Sequence, residues 1–505
     1  MIRKNIYKWH RMLSIIIAIP VIMWTLSGFM SPIMSSFKPK VKNQFLASKS
    51  IDLSKVKVSL DSALLKNRIE CISNFRLVEL DGKIYYQIRK VADNRLTYID
   101  AQSAAIDSAA AENYAMKIAK QFLGDSTAKV TGVSFIQNFD EEYLDNNRLL
   151  PVYRVDFNRY DNTRLYVDPA SDRMGLATND SRAAFSIFFR NFHSWQFLEK
   201  LGPFRSAVLV FLAGISFITA VMGIYIVCIT KSKKVNSSNS SLKYRRLHRQ
   251  IGIIASITML MFTFSGAYRA FVKLEPDTRQ LYSINDEFKA AHLSFSFDSI
   301  AKRYSVKNVS LAKLNGTNYL RIVSPPNATN AECHKKDKDA SQHHMEMKSL
   351  PDVIQYVSIT DLKELPDGEE AFAKNMACNF SRQSPENIIS VTSVTAFDDD
   401  YSMMNKRLPV YKVQFNANNN ERWYVETSSG KLATKVNDVD ARERFSFSKL
   451  HMFHFSHGMG KSTRDLLLVF AALVNLLAAL TGTVLLVIWY KKKKPKVKLQ
   501  PKTIS

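Results

Sequence analysis

Cysteine is scarce in this chain, and a nucleotide-binding fingerprint is missing. The 505 residues include four cysteines, at positions 71, 228, 333 and 378. Because Cys228 lies in an apolar run, an odd number remains elsewhere, which argues against a disulfide framework. The sequence contains no G-x-G-x-x-G segment, so it offers no dinucleotide-binding domain of that type.

Charged residues are missing from four long apolar stretches. Each is long enough, or nearly so, to cross a hydrocarbon core of about 30 Å. The predicted membrane spans are 12–34, 204–230, 250–268 and 466–490. Apart from Arg205 at the start of the second, they contain no Asp, Glu, Lys or Arg. Ion-coupled transporters carry ionisable residues inside their spans, so this absence argues against a transporter.

Acidic residues are absent from three basic segments beside the spans, namely 1–11, 231–249 and 491–505. These segments hold 18 Lys and Arg, against a formal net charge of +25 for the chain. The positive-inside rule places them, and both termini, in the cytoplasm. Residues 35–203 and 269–465 are then two extracytoplasmic domains, in the periplasm of a Gram-negative cell. The basic charge is therefore explained by the lipid bilayer and does not imply nucleic acid.

Several short motifs recur in the same order along the chain. Pairs 238 residues apart are His10-Arg11 with His248-Arg249 and Ser27-Gly28 with Ser265-Gly266. Pairs 258 residues apart are Pro151-Val152-Tyr153 with Pro409-Val410-Tyr411 and His193 with His451. The recurrence predicts a tandem duplication, with two spans and one extracytoplasmic domain in each half.

Each extracytoplasmic segment mixes strand-like and helical patterns. Residues 83–90 and 149–157 alternate as strands do, with a turn predicted at Asp81-Gly82, whereas 112–122 has helical spacing. Residues 165–168 and then 170–175 predict a strand, a turn and a return strand. A helix packed on a small antiparallel sheet, occurring more than once per half, is the expected outcome. The predicted fold class is a membrane protein with four transmembrane α-helices as a tandem 2+2 repeat and two extracytoplasmic α+β domains.

The second half contains 24 extra residues between Ile322 and Tyr356. This insertion holds Cys333-His334 and the run His-His-Met-Glu-Met at 343–347. Sulfur and imidazole ligands together suit copper or another late metal. A polar surface loop between two strands is the interpretation that the pattern favours.

The recurring histidine and serine–glycine motifs resemble those of the PepSY-associated transmembrane family, iron-regulated membrane proteins that include ferric-siderophore reductases. The residues that carry the resemblance are Trp9-His10-Arg11, Leu247-His248-Arg249, the two Ser-Gly pairs, Tyr-Val-Asp-Pro-Ala-Ser-Asp at 166–172, Phe192-His193-Ser194-Trp195 and Leu450-His451-Met452-Phe453. The resemblance implies PepSY-like outer domains, b-type haem and ferric-siderophore reductase activity.

Two pairs of histidines are candidate axial ligands of haem iron. Parallel repeats are related by a pseudo-twofold axis along the membrane normal, so equivalent residues lie at one depth. His10 is then predicted to meet His248 near the cytoplasmic face, and His193 to meet His451 near the outer face. Imidazoles fill the axial positions of haem iron well, so two haem b groups are expected between facing helices. Interfacial histidines and packing glycines without any cofactor are the alternative.

Some polar residues near the second pair have no assigned role. His454 and His457 follow it at helical spacing and have no matching histidines in the first half. Either replaces the nearby ligand, faces the electron acceptor, or is solvated. Arg190, Arg205 and Arg464 either pair with haem propionates or an anionic chelate, or anchor the chain at the membrane interface.

The sequence thus favours a membrane oxidoreductase that conducts single electrons to an extracytoplasmic ferric chelate. The electron comes from an unidentified cytoplasmic or quinol donor, because the cytoplasmic segments are too short for a flavin domain. Fe(II) binds hard chelators more weakly than Fe(III), so reduction releases the metal. The alternative is a membrane-anchored PepSY binding or regulatory module without redox activity. The siderophore nature of the chelate rests on the resemblance alone.

Overall fold

The computed structural model describes residues 2–46, 49–91, 93, 95–230, 240–272, 274, 282–326, 352–398, 400–416 and 419–493. It divides into two compact units. The membrane unit comprises Met1–Phe37, Ala184–Pro276 and Arg442–Ser505, and the strand-rich unit comprises Lys38–Ala183 and Asp277–Ala441. The Cys/His/Met-rich part of the insertion lies outside the described residues, so its metal-site and loop interpretations stay predictions.

The elements are numbered in chain order. The α-helices are α1 (Ile2–Met34), α2 (Leu60–Lys66), α3 (Ala110–Leu123), α4 (Asp180–His193), α5 (Pro203–Ile229), α6 (Ser240–Val272), α7 (Phe297–Ala301), α8 (Gly368–Ser381), α9 (Asp438–Ser446) and α10 (Lys461–Lys493). The strands are β1 (Cys71–Leu80), β2 (Lys83–Lys90), β3 (Leu96–Asp100), β4 (Val130–Ile136), β5 (Val152–Phe157), β6 (Arg164–Asp168), β7 (Arg173–Thr178), β8 (Phe288–Lys289), β9 (Asn308–Leu314), β10 (Thr317–Ser324), β11 (Val353–Ser358), β12 (Glu364–Leu365), β13 (Ile388–Val394), β14 (Val410–Phe415), β15 (Arg422–Glu426) and β16 (Lys431–Val436).

Four helices of the membrane unit, α1, α5, α6 and α10, are long and apolar enough to cross a membrane. Each predicted span falls within one of them to within one residue. The helices pack in the cyclic order α1, α5, α6, α10, so α1 and α6 stand diagonally opposite each other. This arrangement lets side chains from the first and third spans face one another across the bundle.

Hydroxyl groups inside the spans are satisfied by the backbone of their own helix. Thr25 Oγ1 donates to Val21 O at 2.7 Å in α1, and Thr263 Oγ1 donates to Met259 O at 2.7 Å in α6. In a hydrocarbon environment an unsatisfied hydroxyl is costly, and a carbonyl of the preceding turn supplies the acceptor.

The strand-rich unit contains four antiparallel sheets of four strands each. Their strand orders are β3-β2-β1-β8, β4-β5-β6-β7, β12-β11-β10-β9 and β13-β14-β15-β16. Strands β1 and β2 form a tight hairpin, as do β9 and β10, and the predicted turn at Asp81-Gly82 has φ of 52° and 79°. Both central residues of such a hairpin turn need positive φ, which glycine adopts without strain.

The two polar segments share one core within this unit. Strand β8 of the second segment pairs with β1 of the first, with Ile72 opposite Phe288. Buried Ile72 belongs to the same apolar cluster as Leu311 and Ile322. The segments that the sequence predicts as two domains therefore form one compact unit.

The order of elements after β3 resembles the order after β12. In the first segment α3 is followed by β4 to β7 and α4, and in the second α8 is followed by β13 to β16 and α9. A cis peptide bond precedes Pro151 ahead of β5 and Pro409 ahead of β14. The predicted α+β pattern of helices and small antiparallel sheets is present in both segments.

Candidate functional site

His193 and His451 lie side by side in the membrane unit. Their ring centroids are 5.9 Å apart, with the ring planes at 83°. His193 is the last residue of α4, and His451 ends a π-helical turn, Phe447–His451, that follows α9. Each imidazole stacks on the phenylalanine four residues before it, at 4.7 Å on Phe189 and 4.6 Å on Phe447. These stacks restrict how each ring can turn.

A serine from a membrane helix holds one nitrogen of each of these rings. Ser27 Oγ lies 3.0 Å from His193 Nδ1, and Ser265 Oγ lies 3.1 Å from His451 Nδ1. Each hydroxyl also donates to a backbone carbonyl one turn earlier, at 2.7 Å in both cases. A hydroxyl has only one proton to donate, so it accepts from the protonated Nδ1. The Nε2 nitrogen is therefore left without a proton in both histidines.

His10 and His248 form a second pair, from α1 and α6. They are close enough for their charged forms to repel one another. His248 Nδ1 donates to Ala478 O at 3.1 Å and lies 3.1 Å from Thr481 Oγ1. A carbonyl only accepts, so Nε2 is again the unprotonated nitrogen. His10 Nδ1 is buried, and the backbone of Thr219 is the hydrogen-bonding group that His10 faces.

Glycines on the neighbouring helices leave room beside this second pair. A Cβ added at Gly482 of α10 would lie 3.2 Å from His248 Cε1, and one at Gly223 of α5 would lie 3.6 Å from His10 Cε1. By comparison, a Cβ at Gly266 would lie 3.7 Å from His451 Cε1, and one at Gly28 would meet nothing within 4 Å. The Ser-Gly motif thus supplies a hydroxyl contact in both halves but a glycine contact in only one.

The two pairs lie at different levels of the bundle. Ser27 follows His10 by seventeen residues on α1, and Ser265 follows His248 by the same number on α6. At 1.5 Å per residue this is about 25 Å along each helix. Since each serine contacts a histidine of the other pair, the His193–His451 pair lies about this distance along the helices from His10 and His248.

Other predicted polar residues are less central. Arg205 donates to Gln196 Oε1 at 3.3 Å, and Arg464 pairs with Asp465 at 3.1 Å. Arg190 lies in the last turn of α4. His454 and His457 lie in the turn after His451, and the side chain of His457 is outside the described part of the chain.

Three contacts around the histidines were not predicted from the sequence. These are the serine hydroxyls that contact Nδ1, the glycines Gly223 and Gly482, and Arg269. Arg269 pairs with Glu443 at 3.0 Å, and its guanidinium lies 4.3 Å from the centre of the Phe447 ring. Gly223 and Gly482 are 259 residues apart, one more than the 258-residue offset of His193 and His451, so that offset alone does not pair them.

The site offers pairs of imidazoles and no larger set of ligands. Within the described residues, no three His, Cys, Asp or Glu side chains are grouped so as to hold a metal ion. Two axial nitrogens suffice for an iron already held by a porphyrin. The chemistry available here is therefore that of two bis-imidazole sites.

Comparison with known proteins bears on the family. No curated protein matches the chain. A family model described as the PepSY-associated TM region matches residues 79–296, a range that contains His193 and His248. Together with the four membrane-crossing helices, this match identifies a multi-pass membrane protein. The match over residues 79–296 supports the PepSY-associated transmembrane family for this chain.

Proposed function

We propose that this protein is a membrane oxidoreductase, with two haem b groups held by two histidine pairs, that passes single electrons to an extracytoplasmic ferric chelate. The observation that carries the proposal is the commitment of Nδ1 in His193 and His451 to Ser27 and Ser265. Metal-binding histidines almost always donate their other ring N–H in this way, which fixes the tautomer and the ring orientation.

The contacts of the histidines support a tandem 2+2 repeat. Both serines and both glycine neighbours occupy equivalent positions of the two halves, 238 and 259 residues apart. In parallel repeats, equivalent residues lie at one depth and face each other across the pseudo-twofold axis. Each pair would then supply the two axial ligands of one iron, from two different halves of the chain.

The residues present fit haem. The donor set consists of neutral imidazoles, which suit haem iron. His10 is held by the backbone of Thr219, and His248 by that of Ala478, 259 residues later. Gly223 and Gly482 provide space beside His10 and His248 that any larger side chain would occupy.

When bound, haem supplies one-electron transfer, and the chain supplies ligation, orientation and burial. Ser27 and Ser265 hold the Nδ1 protons of His193 and His451, and the stacked Phe189 and Phe447 limit rotation of these rings. At the substrate, one electron converts Fe(III) to Fe(II). Hard oxygen chelators hold Fe(II) less tightly, so the metal is released.

The proposed orientation of the chain in the membrane follows from the distribution of its basic residues. The basic segments 1–11, 231–249 and 491–505 stay in the cytoplasm, and the strand-rich unit lies outside the inner membrane. The lipid bilayer surrounds the four helices. The electron donor is a cytoplasmic or quinol partner, because the chain has no dinucleotide fingerprint.

The test is an absorption spectrum of the detergent-purified chain, oxidised and then reduced with dithionite, with a pyridine haemochrome count. Two b haems per chain are expected. Protein from haem-replete cells that contains none would refute the proposal and leave the membrane-anchored PepSY binding module.

Alanine variants assign the ligands. Replacing His193 or His451 by alanine should remove the same single haem, and replacing His10 or His248 should remove the other. His292→Ala is the matched control, because His292 is exposed in the strand-rich unit and should leave both haems in place. Loss of one haem in His10→Ala and the other in His248→Ala would contradict the pairing.

A further inference from the structure

The two halves of the strand-rich unit meet in a seam that is rich in partly buried positive charge. We call it the basic seam. Its cations are Arg89, Arg148, Arg173, Lys406, Arg407 and Lys431, and its carboxylates are Asp168 and Glu426. Six positive groups thus face two negative ones.

Reciprocal contacts between equivalent loops build the seam. Arg148 donates to Asn405 Oδ1, and Lys406 Nζ donates to Asn147 Oδ1 at 2.7 Å. Arg148 and Lys406 are equivalent positions, as are Asn147 and Asn405, since each pair is 258 residues apart. The two loops therefore contact each other about an approximate twofold axis, which brings the basic residues of both halves together.

Glu426 neutralises only part of this charge. Its buried carboxylate pairs with Arg173 and, at 2.5 Å, with Arg407 Nη1. Ser429 also donates to it. These contacts and the two guanidinium charges hold the pKa of Glu426 at about 2, against the effect of its burial. Glu426 is thus a charged carboxylate that is already paired with Arg173 and Arg407.

Three other cations of the seam have no carboxylate partner. Within the described part of the chain, Arg89, Lys406 and Lys431 make no ion pair. Lys431 Nζ donates to Leu150 O at 3.2 Å, and Lys406 Nζ to oxygens of Asn147 and Gly175. The second carboxylate, Asp168, accepts from Ala170 N and Ser171 Oγ of its own turn.

Holding these cations close together and partly buried costs free energy. Burial lowers the pKa of Lys406 to about 7, and the charge of Arg148 adds to this effect. Burial, followed by repulsion from Arg407 and Arg89, lowers the pKa of Lys431 to about 8. A guanidinium cannot relieve the cost by losing its proton. Groups with pKa values perturbed in this way cluster at functional sites.

We propose that the basic seam binds an anionic ligand that presents several carboxylate or phenolate oxygens. Arg89, Lys406 and Lys431 are half-buried, so solvent and a ligand can reach them. The guanidinium of Arg89 has five N–H donors, and none of them donates a hydrogen bond within the described residues. Its planar geometry matches that of a carboxylate. Lys431 is near enough to Arg89 for the two positive charges to repel each other.

The proposed function then specifies the substrate class, and this step rests on that function. The ferric chelate is an anionic complex, of the carboxylate or phenolate type. A neutral or cationic complex, such as an uncharged hydroxamate, would leave the three cations uncompensated and gain nothing from them.

The experiment is calorimetric titration of the full-length protein in detergent with gallium(III) citrate, an anionic chelate whose metal is not reduced. Wild-type protein should bind it, and 0.5 M salt should weaken binding. Arg89→Gln and Lys431→Gln should each weaken it about tenfold or more, as loss of a charge-assisted hydrogen bond does. Lys363→Gln is the control, because this lysine is exposed on the same unit.

A conservative variant separates binding from folding. Arg89→Lys keeps the charge and should retain most of the affinity that Arg89→Gln loses, and the thermal unfolding of both is compared with wild type. Unchanged binding in Arg89→Gln and Lys431→Gln would overturn the proposal. So would equal binding of neutral gallium tris(acetohydroxamate) that citrate displaces. No electron moves in this titration, so binding of gallium citrate without reduction of ferric citrate would reject the proposed function and keep the anion site.

Discussion

A single serine hydroxyl decides which nitrogen of each neighbouring histidine is available. Ser27 and Ser265 donate to their own helix backbone and therefore accept from Nδ1 of His193 and His451. The sequence predicts the histidines because they recur at a fixed offset. It does not predict the serine contact, because that contact depends on how α4 and the π-helical turn pack against the membrane helices.

Replacing either serine by alanine should weaken one haem and spare the other. Outer hydrogen-bond partners of metal-binding histidines are typically worth about 10–100-fold in affinity. Ser27→Ala and Ser265→Ala should therefore lose the haem of His193 and His451 during purification or on titration with a competing haem acceptor. The measurement is the haemochrome count at increasing acceptor concentration.

Ser14→Ala is the matched control for this prediction. Ser14 lies on α1 as Ser27 does, but its hydroxyl donates to a backbone carbonyl alone, at 2.7 Å from His10 O. Equal haem loss from Ser14→Ala and Ser27→Ala would show that the Nδ1 contact has no special role.

Glu426 should make the stability of the strand-rich unit sensitive to acid. Its folded pKa of about 2 is below its ordinary value of 4.5, so its contribution is fully present above pH 4.5 and is lost as pH falls from there towards 2. Glu426→Gln leaves Arg173 and Arg407 buried without a carboxylate and should cost about 3–5 kcal/mol near pH 7. Urea unfolding of both proteins at several pH values measures this.

The gap between wild type and Glu426→Gln should therefore narrow as the solution is acidified below pH 4.5. Glu370→Gln provides the comparison, since its pair with Lys374 is about half exposed and should be worth under about 1 kcal/mol. A gap that stays constant down to pH 3 would assign the stabilisation to packing and not to charge.

At the scale of elements, the sequence predicts which helices and strands exist better than it predicts where they begin and end. The strand predicted at 83–90 is β2, and the helix predicted at 112–122 lies inside α3. The predicted return strand after β6 starts too early, because the structure begins β7 at Arg173. Asp168 accepts from Ala170 N and Ser171 Oγ and so holds residues 169–172 in a turn. Strand alternation alone does not reveal this local competition for hydrogen bonds.

The helix contact at Gly482 can be tested directly. A Cβ at 3.2 Å from His248 Cε1 forces the ring or α10 to move by a few tenths of an ångström. Gly482→Ala should therefore perturb the haem of His10 and His248, seen as a shifted midpoint potential or lower occupancy, and leave the other haem unchanged. The measurement is a potentiometric titration of the reduced absorption bands.

Gly214→Ala tests whether any added methyl group in a span has this effect. A Cβ at Gly214 of α5 would meet nothing within 4 Å, so both haems should behave as in wild type. If Gly214→Ala shifts the same haem as Gly482→Ala, the close approach to His248 is not the cause.

At the scale of the whole molecule, the proposed duplication would yield a symmetric and an asymmetric product. Under that proposal, equivalent residues meet at the histidine pairs, with one histidine from each half. In the basic seam the same symmetry places cations beside cations, and one half adds Arg89, whose counterpart at the 234-residue offset is Val323. A repeat found in the sequence predicts the histidine pairs, because equivalent residues meet there. The basic seam depends on which loops contact each other, and the repeat offset does not show that.

The orientation of the whole chain decides whether these two sites can serve one reaction. Moving the seven Lys and Arg of 231–249 through the bilayer is unfavourable, so this segment should stay inside and the strand-rich unit outside. In a background with the four native cysteines replaced by alanine, Lys363→Cys should react with a membrane-impermeant maleimide in spheroplasts. Tyr244→Cys, exposed on α6 beside the basic segment, should react only after lysis. The reverse pattern would put the basic seam in the cytoplasm. An extracellular chelate would then never reach it, and the proposed reductase would fail even with both haems bound.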